Sequence, residues 1–166
     1  AISDRMTTQI RGLDQAARES YRQAIELDPA FARAYAGLAM TYAMDPRLRS
    51  QADAAPALAR ALELAETARQ IDPDIPEVHW ALGFVYTQQS RHSLALQSLD
   101  KAVTLNRSYA DAYALMAGIY TYIGDPAKGI SLMRTALRLD PGGGHLYFLN
   151  LGRAYYCNGD AEQAVI

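Results

Sequence analysis

The chain has 166 residues, 50% of them hydrophobic and 20% charged, with a formal charge of −2. That is globular composition, with room for one compact domain or one short repeat array. No Lys/Arg stretch is long enough for a nucleic-acid patch, and no apolar run approaches the roughly 20 residues a membrane-spanning helix needs. Cys157 is the single cysteine, so an intrachain disulfide is excluded, which fits a reducing cytosol.

Taken from the start, AISDRMTTQI lacks the apolar centre of a secretory leader. It does not begin with Met, so the chain reads as a piece of a longer one. Helical spacing runs from about Thr7 to Leu27 and stops at Asp28-Pro29, because the residue before a proline disfavours the α region. Ala34, Tyr35, Leu38, Ala39 and Tyr42 carry a second helix to near Met44, where Asp45-Pro46 ends it. The stretch AMDPRLRSQADAAPALARALELA then holds ten extra residues. The next helix is expected to resume between Ser50 and Pro56. Ser50 or Asp53 would cap it, and Pro56 would sit in its first turn. A loop, with space for an extra helical turn, is expected at that corner. Asp72-Pro73 and Asp140-Pro141 stop two later helices. Gly142-Gly143-Gly144 inserts one residue and a softer junction before the last helix pair, whose second helix is expected to reach Ile166 after about two turns.

These elements recur. Ala24, Ala68, Ala102 and Ala136 are separated by 44, 34 and 34 residues, and Tyr42, Tyr86, Tyr120 and Tyr155 by 44, 34 and 35. Seven positions before the alanines stand Ala17, Ala61, Ala95 and Gly129, with Ala164 following 35 after Gly129. Leu38, Leu82, Met116 and Leu151 keep step. So do the stops Pro29, Pro73 and Pro141, with Arg107 in the third slot. Two helices recurring every 34 residues cannot bury both faces of one hairpin alone, so each hairpin needs neighbours.

On these residues the chain resembles the tetratricopeptide repeat (TPR) family. The motif reads Tyr35–Leu38–Ala39–Tyr42 with Ala61–Ala65–Ala68–Pro73, then His79–Leu82–Gly83–Tyr86 with Ala95–Leu99–Ala102. It continues as Tyr113–Met116–Ala117–Tyr120 with Gly129–Met133–Ala136–Pro141, then Phe148–Leu151–Gly152–Tyr155 with Ala164. The resemblance implies an all-α, right-handed α-α superhelix (solenoid) of stacked antiparallel helix pairs, a single array over 1–166. Its parts would be helix B of a partial first repeat at 7–29, a repeat with a ten-residue insertion at 32–75, repeats at 76–109 and 110–143, and a truncated last repeat at 145–166. Small residues at Ala39, Gly83, Ala117 and Gly152 would let helix A approach helix B, and the following tyrosines would fill the gap one turn on.

The resemblance also implies a function: a non-catalytic protein–protein interaction scaffold binding a peptide or helix in a concave groove lined by the A helices. The slots that face that groove translate here to Arg33, Ala36, Met40 and Met44, then Glu77, Trp80, Phe84 and Gln88. They continue as Asp111, Ala114, Gly118 and Tyr122, then Leu149, Asn150, Arg153 and Tyr156. Trp80 is displaced by one from the usual aromatic slot, which His79 holds, so it either faces the groove, the reading preferred, or turns inward and packs, leaving His79 more exposed. The lysine–asparagine grip on a C-terminal carboxylate used by some TPR groups is absent, since Ala36, Met40, Ala114 and Leu115 stand in comparable places. An amphipathic helix, an extended apolar peptide or a segment of the parent chain suits the set better.

No cofactor or metal set is expected: His79, His92 and His145 lack partners at metal spacing, and the triple glycine lacks the lysine-hydroxyl pair of a phosphate loop. Cys157 reads as a plain residue near the end of a helix A. The phrasing of FARAYAGLAMTYAMD and MRTALRLDPGGGHLYFLN is similar to TPR regions of bacterial multidomain regulators, which implies a bacterial cytoplasm. The alternatives are a substrate-recruiting or regulatory domain of a larger enzyme whose catalytic part lies elsewhere, and an envelope assembly factor. An incomplete last helix B leads to one further expectation, dimer contact through an exposed end or the groove.

Overall fold

The computed structural model describes residues 2–45 and 51–164, with side chains from residue 15 onward apart from 51–53 and 145. Eight helices follow in order: α1 (Ile2–Leu27), α2 (Ala32–Ala43), α3 (Gln51–Ile71), α4 (Pro76–Gln88), α5 (His92–Leu105), α6 (Ala110–Tyr122), α7 (Pro126–Leu139) and α8 (Gly144–Asn158). There is no strand among the described residues. The chain divides into two compact units, Ala1–Ser90 and Arg91–Ile166. Each is built the same way. In the first, the α2–α3 hairpin packs between α1 and α4; in the second, the α6–α7 hairpin packs between α5 and α8. The fold class is all-α, of stacked antiparallel helix pairs.

The recurring small residues explain the close stacking. Ala39, Ala61, Ala65 and Ala68 in the first unit, and Ala95, Ala102, Ala117 and Ala136 in the second, are buried. With side chains this short, larger neighbours reach across from the next helix. Leu38, Leu64 and Leu82 meet at the centre of the first unit, flanked by Tyr21, Ile25 and Tyr86. Ile130, Met133, Tyr147, Leu151 and Tyr155 do so in the second. Burial of each large side chain contributes roughly 1.5–3 kcal/mol.

Both kinds of corner repeat chemically. Where a second helix hands over to the next hairpin, Asp28, Asp72, Asn106 and Asp140 each accept, through Oδ1, the backbone N–H two residues on, at 2.9–3.0 Å. The amide of Asn106 thus replaces the aspartates at the one junction that lacks proline, and this Asx turn is what the stops share. Within hairpins, the residue four after the motif tyrosine is left-handed: Ser90 at φ 58°, Gly124 at 94° and Gly159 at 85°. For serine that conformation carries backbone strain; for glycine it does not. Ser90→Gly is therefore expected to raise stability by about 0.5–1 kcal/mol, read as a higher urea midpoint at unchanged slope.

Pro46 occupies that same slot in the first hairpin. It lies outside the described residues. The end of α2 is fastened from outside the hairpin. Arg18 on α1 donates through Nη2 to the Thr41 carbonyl and to Asp45 Oδ2, both at 2.7 Å, and through Nε to Thr41 Oγ1 at 3.2 Å. Its guanidinium lies 4.5 Å from the Tyr42 ring centroid, and Arg22 donates to the Tyr42 hydroxyl. The side chains of Arg18 and Asp45 are only 11% and 7% exposed. Later tyrosines of the set are anchored similarly: Tyr86 donates to Glu66, and Tyr155 accepts from Arg134.

The structure corrects several expectations. α1 begins at Ile2, five residues before the expected Thr7. α3 resumes at Gln51, so Asp53 lies inside it rather than capping it, Pro56 falls in its second turn, and Ser50 lies outside the described residues. Proline there removes one helical hydrogen bond. After α8, residues 161–164 form turns where a helix was expected, and Val165 and Ile166 lie outside the described residues.

Candidate functional site

The expected binding residues lie on α2 and α4 in the first unit and on α6 and α8 in the second. On α2, Arg33 is exposed and Met40 is half-buried against the cluster that includes Val78 and Ala81; Met44, the residue after the helix, is exposed. Ala36 is buried, contrary to the slot it was given, because its short side chain lets α4 close over it. On α4, Glu77 and Gln88 are exposed, and Glu77 Oε2 lies 3.7 Å from Arg33 Nε. That pair stitches the starts of the two helices together at the surface, where such a bridge contributes little stability.

Trp80 and Phe84 are both half-buried. Their ring centroids lie 5.8 Å apart at 36°, one turn apart on α4. His79 is buried at 7% exposure, and its Nε2 lies 2.7 Å from the Pro73 carbonyl oxygen. The expectation that His79 becomes the more exposed of the two is corrected: it is the buried one. His79 closes the preceding corner, and Trp80 shares a partly open edge with Phe84.

In the second unit the face is more open. Gly118 on α6 has nothing within 4 Å of where a Cβ would stand. Tyr122, one turn on, is 77% exposed, with the His92 ring 5.1 Å away. Ala114 is buried, a second correction with the same cause as Ala36. Asp111, at the start of α6, accepts from the Tyr147 hydroxyl at 2.5 Å. Burial first, and this hydrogen bond second, push the Tyr147 phenol up, so it stays a donor through the neutral range. On α8, Leu149 and Tyr156 are 56% and 74% exposed, Arg153 is exposed and Asn150 half-buried.

Sequence reasoning missed three features here. The aromatic that packs at the start of α8 is Tyr147, while Phe148, placed in the motif slot, is largely exposed. Tyr147 enters because Gly143 carries no side chain: a Cβ there would strike the tyrosine ring. Leu146, 57% exposed, belongs with Leu149 on the open face. The Arg18–Asp45 pair had no local signal, since 27 residues separate the partners. Among the described residues, no group of three or more His, Cys, Asp or Glu side chains could hold a metal, and no helix is long and apolar enough to cross a membrane.

Comparison with known proteins agrees with this architecture. The TPR repeat model matches residues 11–45, and Tetratricopeptide repeat models match 47–113 and 110–142. Among solved structures, the chain is similar to TTC0263, a thermophilic TPR protein of Thermus thermophilus. There the TM-score is 0.74 at 21% identity, over 96% of this chain and 83% of that one. It is similar to MamA of Desulfovibrio magneticus RS-1, with TM-score 0.65 and 22% identity over 98% and 85%. It is also similar to YrrB, a TPR protein with an unusual peptide-binding site, with TM-score 0.60 and 24% identity over 97% and 77%. No curated protein matches the sequence. The motif residues, the packing within both units and three family matches in succession agree: the chain belongs to the tetratricopeptide repeat family.

Proposed function

We propose that the chain is a non-catalytic scaffold that binds a peptide or helix of another protein in a concave groove formed by its A helices. The observation that carries this reading is that each unit leaves large apolar side chains open. Met44, just past the end of α2, in the first unit, and Tyr122, Leu149 and Tyr156 in the second, stand exposed where the motif's core positions are buried. Tyrosine and methionine are residues that interfaces favour and that adapt to varied ligands. The repeats divide at 32–75, 76–109 and 110–143 between partial ends at 7–29 and 145–166. The similarity to YrrB, which has a peptide-binding site, supports the same use here. A cytoplasmic setting fits the single cysteine.

A displayed random peptide library selected on the wild-type chain supplies the probe. Gly118→Trp places a large ring into open space without touching the core, and Phe84→Asp puts a charge on the α4 edge. Selected peptides should bind at least one of these variants roughly tenfold more weakly, with helicity by circular dichroism unchanged. Unaltered binding to both would remove the groove from consideration.

A further inference from the structure

We infer that the open strip on α8 selects a partner segment carrying an acidic side chain set between two apolar anchors. This rests on the groove reading above and specifies its ligand. Leu146, Leu149, Arg153 and Tyr156 recur at spacings of three, four and three, so they share one face of α8. That face is opposite the one that buries Tyr147, Leu151 and Ala154. Arg153 is its one formal charge. The other charged residue of the unit's candidate face, Asp111, is occupied by Tyr147.

Arg153 is exposed and forms no ion pair or hydrogen bond with any described residue. The next carboxylates along the chain, Asp160 and Glu162, lie past the left-handed corner at Gly159, and neither reaches it. Most other arginines of the described surface have partners: Arg18, Arg22, Arg33, Arg60, Arg69 and Arg134. A guanidinium bracketed by a leucine one turn before and a tyrosine one turn after is desolvated when apolar anchors settle on both sides. Its planar fork then favours a carboxylate, which it can hold through two parallel hydrogen bonds. A neutral segment would cover the cation without pairing it, and a basic one would repel it. The chemistry therefore selects apolar–acidic–apolar spacing in a partner polypeptide.

The test uses the same displayed library on the wild-type chain and on Arg153→Leu, which keeps the apolar stem. Wild-type selection should enrich Asp or Glu between apolar positions, and Arg153→Leu should keep the apolar positions and lose the acid. A labelled peptide from that pool and its Glu→Gln twin should differ roughly tenfold in affinity on wild type. They should be equal on Arg153→Leu, with a Glu→Lys twin preferred by Arg153→Glu. The difference should shrink as salt rises. Apolar enrichment without an acid, or equal binding of the twins on wild type, overturns the acidic selection and leaves the groove reading standing. If Leu149→Ser and Tyr156→Ala bind the selected peptides normally, the strip is not the docking site. Light scattering that shows a dimer lost in Arg153→Glu would assign the strip to a second copy and overturn the proposal.

Discussion

Arg18→Leu is expected to destabilise the Ala1–Ser90 unit by about 3 kcal/mol. The substitution leaves the Asp45 carboxylate in a site where its side chain is 7% exposed, without the guanidinium that faces it. It also takes a donor from the Thr41 carbonyl and a cation from the face of Tyr42. Arg18→Lys should recover only part, because one ammonium cannot reproduce contacts made through both Nη2 and Nε. The informative partner is Arg18→Leu combined with Asp45→Leu. Removing both charges at once should return much of the loss, since an apolar pair of similar volume has no charge left to desolvate. Urea denaturation followed by circular dichroism measures all three. A single substitution costing under about 0.5 kcal/mol would mean the pair is a surface bridge in effect.

Leu82→Ala should cost a comparable amount, about 2–5 kcal/mol, for a different reason. Leu82 is 2% exposed and shares one buried cluster with Leu38, Ala39, Leu64 and Ala65, where α2, α3 and α4 meet. Its small neighbours cannot grow to fill the space, and the helices cannot close in further because alanines already set their spacing. Leu82→Met should cost under about 1.5 kcal/mol. Leu27→Ala, at a position 88% exposed, should stay within about 0.5 kcal/mol of wild type. Chemical denaturation gives the values, and hydrogen exchange in α2 and α4 should rise for Leu82→Ala alone. Equal stability of Leu82→Ala and Leu27→Ala would dissolve the packing account.

The array was legible because its spacing depends on residue size, which a sequence states outright. An alanine or glycine every 34 residues marks where helices touch, and the tyrosine that follows marks what fills the gap. The junction at Asn106 was readable only in part: attention to proline found three stops, while the Asx side chain common to all four was the actual device. The open surface was harder to read. Ala36 and Ala114 hold slots that would face outward with larger side chains, and being small they are covered by the next helix. Two adjacent aromatics, Tyr147 and Phe148, compete for one place, and the choice turns on Gly143, four residues before Tyr147. Exposure is a property of the neighbour's bulk as much as of the residue itself, so slots carried over from the family resemblance could not say which of their members stay open.

The guanidinium that fastens the end of α2 comes from α1, the helix that precedes the hairpin. The lengthened unit is therefore not portable. Grafted into another array, this segment would carry Thr41 and Asp45 but leave Arg18 behind, and the end of α2 would keep that hold only where the preceding helix offers an arginine at the same height. Modular as such arrays are in outline, the end of α2 here leans on the helix before it, and the two are best moved as a pair.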